Sequence, residues 1–304
     1  MGENTKIEWC THTWSPWIGC TKLTAACDHC YAADMAKRYG WAEFVAGAPR
    51  HRTSTDYWKK PLLWNRQAEA SEERVSVFPS LCDPFDAEVP DEWRADFMGI
   101  IERSPHLEWL VLTKRSKLAR QWFDGRAVPA NVRLGTTAED QKMLDLRGPD
   151  IVAIKAELRP FLSAEPLLGG IDAYHGDPDP RLGGIEATQS LLGHWWESGE
   201  GRVHPGHFGF GWVIAGGESG PKARPSHPDW FRSLRDQCIA ADVPFFLKQW
   251  GEWADHDQPG VDMLGTAKSP MHDWGDGHTS VRIGKKAAGA MLDGREHRDV
   301  PGLA

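Results

Sequence analysis

The sequence predicts an α/β fold, a partial (β/α) TIM-type barrel of parallel strands, on three observations. Short apolar runs recur along the 304-residue chain, stretches with helical spacing and charge separate them, and each run ends in polar or glycine residues. Runs that alternate with helical stretches read as strand-helix units whose strands lie parallel.

From the N-terminus, residues 13–18 lead into a cysteine-bearing loop, and a helix is expected over 31–39. Strands are expected at 75–78, 109–112, 132–135, 159–162, 212–215 and 244–247. A helix over 91–103 carries Trp93, Phe97, Ile100 and Ile101 at helical spacing after Pro90. A second, over 229–241, repeats the design with Trp230, Leu234 and Cys238, so Cys238 reads as a small buried apolar residue. Between Gly170 and Gly211 the pattern gives way to Gly-, Pro- and Asp-rich sequence. It is read as an insertion, 171–210, with one short helix near 187–196, a length common among lids and binding loops. The barrel domain is expected over 1–253, and the polar, glycine-rich 254–304 as an extension folded back over it.

Each strand run gives way to polar or charged residues. Asp83 comes after the first and Lys114 with Arg115 after the second, then Glu139, Glu165, the triplet Gly216-Gly217-Glu218, and Lys248 with Gln249. Such groups at the C-terminal ends of parallel strands are what a β/α barrel presents as its active face. A charge after a strand is often just a solvated residue, but recurrence after successive strands weighs against that reading.

Composition narrows the function. A net charge of −8 argues against a protein that coats nucleic acid by electrostatics alone. Sixteen tryptophans suit core packing first and base stacking second. Arg50, His51 and Arg52, with Arg282, Lys285 and Lys286, read as a solvated basic face or as phosphate contacts. The N-terminal residues carry acids without an apolar run, and no later stretch has the length of a membrane span. A soluble, cytoplasmic protein is expected, and six cysteines in a chain of this size suggest a reducing compartment rather than disulfide staples.

Cys20, Cys27 and Cys30 are spaced so that three thiolates can converge on one centre. Three readings compete. The thiols can be unrelated, although three on one polar loop are poorly suited to separate burial. They can hold zinc with His12 or His29 as the fourth ligand, but no second ligand pair at zinc-ribbon spacing is present. Or they can bind a 4Fe-4S cluster through three irons, leaving the fourth iron open to a ligand, and this reading is preferred.

The segment Cys27-Asp28-His29-Cys30-Tyr31 resembles the cluster loop of radical S-adenosylmethionine enzymes, with a longer first gap. Over almost the whole chain, residues 7–9, 14–31, 112–115, 162–169, 216–220 and 246–251 resemble the phage-associated three-cysteine-motif proteins, a divergent branch of those enzymes. The resemblance implies a 4Fe-4S cluster on Cys20, Cys27 and Cys30, and S-adenosylmethionine bound at its open iron. It also implies an external one-electron reductant and a 5′-deoxyadenosyl radical aimed at one substrate hydrogen. His29 or Tyr31 would then lie near the adenine. Gly216-Gly217-Glu218 is similar to the element that contacts the cofactor's amino group, although it follows a later strand than in those enzymes; Asp83 stands at the usual place and can accept from an ammonium. Lys114 and Arg115 suit a carboxylate or phosphate, and Glu139 and Glu165 suit ribose hydroxyls or an amine. Lys114, Glu165 and Lys248 are the catalytic candidates. The phage association and the locally basic, tryptophan-rich rim favour a nucleobase in DNA or a nucleotide as substrate. The rivals are a zinc-stabilised nucleic-acid-binding protein and a non-catalytic partner protein in a phage gene cassette.

Overall fold

A computed structural model describes residues 2–173, 191–192, 209–259, 261 and 268–302. The chain divides into two compact units, Met1–Thr136 with Ala153–Pro160, and Thr137–Val152 with Phe161–Ala304.

In the first unit, in chain order, come β1 (His12–Thr13), β2 (Trp17–Ile18), α1 (Tyr31–Tyr39), β3 (His51–Arg52) and α2 (Lys60–Ser71). They are followed by β4 (Val75–Phe78), α3 (Asp91–Glu102), β5 (Leu107–Thr113), α4 (Ser116–Trp122) and β6 (Val132–Thr137). Strands β1, β4, β5 and β6 pair in that order, all parallel, with His12 opposite Val77, Val77 opposite Trp109 and Trp109 opposite Val132. Strands β2 and β3 form a separate antiparallel ribbon. Parallel strands are covered on both faces, which is why β5 reads Trp-Leu-Val-Leu rather than alternating.

Helix α3 begins after Pro90 with Asp91 and Glu92 in its first turn, where acids suit the helix dipole. It buries Phe97, Ile100 and Ile101. Phe97 meets Trp109 edge to face at 5.5 Å, and Trp14 meets Trp109 the same way at 5.6 Å. All three are fully buried, and each such ring contributes about 1.5–3 kcal/mol or more by leaving water. Among the described residues, Trp14, Trp17, Trp64, Trp109, Trp212 and Trp250 are fully buried, which is the core-packing use the composition suggests.

The second unit contains α5 (Gln141–Val152), β7 (Phe161–Ala164), β8 (Trp212–Gly216), α6 (Pro228–Ala240) and β9 (Phe245–Gln249). After these come β10 (Trp253–Asp255), β11 (Met271–Asp273), β12 (Thr279–Arg282), α7 (Lys285–Ala288), β13 (Met291–Leu292) and β14 (Arg295–Glu296). Strands β7, β8 and β9 are parallel neighbours. The C-terminal stretch builds a small antiparallel sheet, β10-β12-β11, and a hairpin, β13-β14. It folds back onto the strands of its own unit. The Leu247 N–H donates to the His297 carbonyl at 2.9 Å, and the Trp250 indole N–H to the Met291 carbonyl at 2.6 Å.

The fold is therefore mixed α/β with seven parallel strands, in agreement with a partial β/α barrel. The expected strand at 159–162 starts later, at Phe161, because Pro160 has no N–H to give a ladder. Helices α2, α4 and α5 were not individually expected. Of the insertion, the helix near 187–196 lies outside the described residues except for Leu191 and Leu192, which form a turn. Among the described residues no helix is long and apolar enough to cross a membrane.

Cys238, on α6, is fully buried, and burial pushes its thiol well up. Cys238→Ser is expected to lose about 1–3 kcal/mol of unfolding free energy in urea, because a hydroxyl without a partner enters the core. Cys238→Ala should lose less.

Candidate functional site at the cysteine loop and strand ends

The first unit places the cysteines. Gly19 pairs in parallel with Cys82, just past β4, and its N–H donates to the Leu81 carbonyl at 3.0 Å. Its φ of 112° is a conformation that favours glycine, and it turns the chain so that Cys20 lies beyond the C-terminal end of the strand. Cys27 is buried at the end of a short 3-10 turn, and Cys30 is the N-cap of α1. Cys20 and Cys30 are both partly buried against one apolar cluster, formed by Ile18, Ala32, Ala36, Phe44 and Leu81. The Cys20 thiol is pushed up to about 12, first by burial, then by the Asp83 carboxylate; a Cys30 thiolate would add to this, so the two sulfurs lie within electrostatic reach.

Among the described residues, no group of three or more His, Cys, Asp or Glu side chains is arranged to hold a metal ion. The donor set itself suits a thiophilic centre: three thiols on one loop, none in a disulfide. Such a centre must displace the Cys20 proton, so binding should strengthen as pH rises. Each displaced proton below its pKa contributes about tenfold per pH unit, readable as Zn²⁺ affinity by chelator competition at pH 6 and about pH 8.

The residue after Cys20 is held on every polar atom. The Thr21 N–H donates to Asp86 Oδ2 at 3.0 Å and its hydroxyl donates to Glu88 Oε1 at 2.9 Å. The hydroxyl also accepts from Arg50 Nη2 at 2.7 Å, and its carbonyl accepts from Arg115 Nη2 at 2.7 Å. Arg50 and Asp86 pair at 2.9 Å with side chains 1% exposed. Arg50 is thus neither a solvated face nor a phosphate contact, which corrects the sequence expectation. None of Thr21, Asp86 or Glu88 was singled out in the sequence, since a lone acid in a loop carries no pattern.

Asp83 is buried after β4 and accepts four hydrogen bonds. Its Oδ1 takes the Phe85 N–H and the Thr113 hydroxyl, and its Oδ2 takes the Lys114 N–H and Arg115 Nη1. A ligand ammonium would have to compete with these partners. Arg115 holds its charge against burial because Asp83 and Asp86 lie beside it. The Lys114 side chain is half-buried. Tyr31 is exposed and its hydroxyl donates to the Ser80 carbonyl at 2.8 Å, while His29 is half-buried. His12 lies in the core: its Nδ1 accepts from the Asn4 N–H and its ring packs on Trp64 at 4.4 Å.

The second unit carries the other candidates. Glu139 is buried and paired with Arg147 at 3.0 Å. Glu218 is held by the Arg224 side chain and N–H, at 2.6–2.9 Å. A Cβ on Gly217 would stand 1.8 Å from the Trp250 carbonyl oxygen, so this glycine admits the chain's own backbone. Glu165, after β7, reaches Lys248 on β9 in an ion pair of 2.9 Å. Gly216, on the strand between them, leaves the room: its Cβ would meet Glu165 Oε1 at 2.8 Å. Gly216→Ala is expected to displace Glu165 and weaken the pair at a modest loss of about 1 kcal/mol, since the pair is partly solvated. Urea unfolding beside the Lys248→Met variant checks it, the double variant losing less than the sum.

Arrangement and chemistry together define an α/β protein of parallel strands that carries a three-thiol loop past its first strand and acids and bases past the others. The chain belongs to the family described as Protein of unknown function (DUF5131), whose model matches residues 4–301. Comparison with curated proteins and with solved structures finds no match to either.

Proposed function

We propose that this protein is a radical S-adenosylmethionine enzyme, acting on a nucleobase in phage DNA or in a nucleotide. The observation that carries the reading is the cysteine loop. Cys20 lies beyond the C-terminal end of a parallel strand, within electrostatic reach of Cys30, and Cys27 lies in the same short loop.

Three thiolates from Cys20, Cys27 and Cys30 would hold a 4Fe-4S cluster, which when bound supplies the electron that cleaves a carbon-sulfur bond of S-adenosylmethionine to give a 5′-deoxyadenosyl radical. The protein's own part is to bind, orient and keep water out. The Asp86–Arg50–Arg115 network holds the chain at Thr21 and so fixes where Cys20 sits. Tyr31 and His29 flank Cys30 and are proposed to face the adenine. Asp83, Glu139 and Glu218 remain the proposed cofactor contacts, each through a carboxylate with an internal partner to exchange, while Gly216 and Gly217 already make room for Glu165 and the Trp250 carbonyl. Lys114 and the Glu165–Lys248 pair are proposed to hold the substrate, Lys248 donating a hydrogen bond or proton and Glu165 accepting one.

Anaerobic purification with iron and sulfide analysis tests this, followed by reduction with dithionite and assay for 5′-deoxyadenosine. About four irons per chain and cleavage of S-adenosylmethionine support the proposal. Colourless protein carrying stoichiometric zinc, or iron-loaded protein that never cleaves the cofactor, overturns it.

A further inference from the structure

Among the described residues, exposed Phe, Tyr and Trp side chains fall in one stretch of the chain. Among the described residues, Tyr31, Tyr39 and Trp41 are the Phe, Tyr or Trp side chains that stand open, at 48%, 57% and 37% exposure. Every other described Phe, Tyr or Trp is buried or half-buried, so the openness of these three in the segment after Cys30 asks for a reason.

The backbone explains how the pair forms. Helix α1 stops at Gly40, whose φ of 66° is left-handed, and the Trp41 N–H turns back to the Ala36 carbonyl at 2.9 Å. Trp41 is thereby brought over Tyr39, with ring centroids 4.8 Å apart and planes within 20°. The Arg38 guanidinium lies 5.8 Å from the Tyr39 ring, and Lys37 and Arg38 are both exposed in the last turn. A helix stop needs an apolar contact here, which any aliphatic residue supplies. It does not need two stacked rings facing water beside two cations, in a chain whose net charge is −8.

We propose that Tyr39 and Trp41 form a base-stacking platform for single-stranded nucleic acid, with Lys37 and Arg38 taking its phosphates. A flat ring pair offers a face that any unpaired base can cover, whereas bases in a duplex have no free face to give. The adjacent cations match the backbone that accompanies the base. A second copy of this chain fits less well, because a stable interface buries about 1,200–2,000 Å² in total, far beyond two rings flanked by charges. The platform rests on the nucleobase reading for what is done to the base, and stands apart from it for the binding.

The test is fluorescence anisotropy of the full chain with labelled DNA and RNA single strands of about ten nucleotides, and with the matching duplex. Single strands should bind, and the two sugar types tell which is the ligand. Tyr39→Ala and Trp41→Ala should each weaken binding by about tenfold or more, while Tyr39→Phe retains it. Lys37→Ala and Arg38→Ala should each reduce the salt slope by about one. Both rings are exposed, so the variants should fold, which circular dichroism checks. Equal affinity of wild type and alanine variants overturns the platform, as does duplex binding as tight as single-strand binding. So does loss of a sedimenting dimer in Trp41→Ala with oligonucleotide binding unchanged, which would assign the patch to a second copy. Cys27→Ala that binds oligonucleotide like wild type supports the platform even if no 5′-deoxyadenosine is ever made. Failure of stacking variants to matter, with cofactor cleavage intact, removes the platform alone.

Discussion

Cys27→Ala is expected to bring iron content to background and to end S-adenosylmethionine cleavage while the chain stays folded. Cys27 is 7% exposed at the end of its turn, so losing its sulfur should reduce stability by only about 1 kcal/mol, the scale of one buried methyl-sized group. The effect on metal is all or none because three ligands are the fewest that hold a 4Fe-4S cluster with one iron open. Cys82→Ala is the matched control. Cys82 is also a thiol beside the loop, in register with Gly19, yet it is outside the proposed ligand set. Iron and sulfide analysis of the two variants decides: full iron in Cys27→Ala sinks the ligand assignment, and loss of iron in Cys82→Ala would place the fourth thiol in the centre.

Much of the frame could be read from residue order, and the reason is periodicity. The run at 75–78 is mostly apolar, preceded by Arg74 and stopped by Pro79, and it forms β4 with the same limits. Helix α1 is expected over 31–39 and spans Tyr31–Tyr39, because Gly40 supplies a clear stop. Strand β1 is two residues long, too short to leave an alternation, and shows itself in the sequence only as the approach to the cysteines. Helix α5 contains Pro149, ordinarily a breaker, and so hides among loops. The candidate residues do stand at strand ends, but their partners could not be seen. Arg147 lies eight residues beyond Glu139, Arg224 six beyond Glu218, and Lys248 is on a different strand from Glu165. Such pairs depend on tertiary placement, and only the Gly216 notch, a glycine on a strand end, hints that a side chain passes there.

Asp86→Ala should be the most destabilising polar substitution in the first unit, by about 3–5 kcal/mol in urea unfolding. Asp86 is 1% exposed and its Oδ2 accepts from Thr21 N–H, Arg50 Nε and Arg50 Nη2. Its Oδ1 accepts from the Glu88 N–H and lies 3.7 Å from Arg115 Nη2. Removing it leaves Arg50, 1% exposed, and Arg115, 8% exposed, with less compensating charge, and burial of an uncompensated charge costs more than the pair itself contributes. The consequence reaches the cysteine loop, since Thr21 loses the acceptor for its N–H and Cys20 loses its fixed neighbour. Iron retained per folded chain should therefore fall in Asp86→Ala even at low denaturant. The double variant Asp86→Ala/Arg50→Met separates network from coincidence. If the two charges compensate one another, it should be more stable than the sum of the single losses allows, by about 1–3 kcal/mol. Strict additivity would mean that Arg50 and Asp86 act independently, and the network would no longer explain how Cys20 is held.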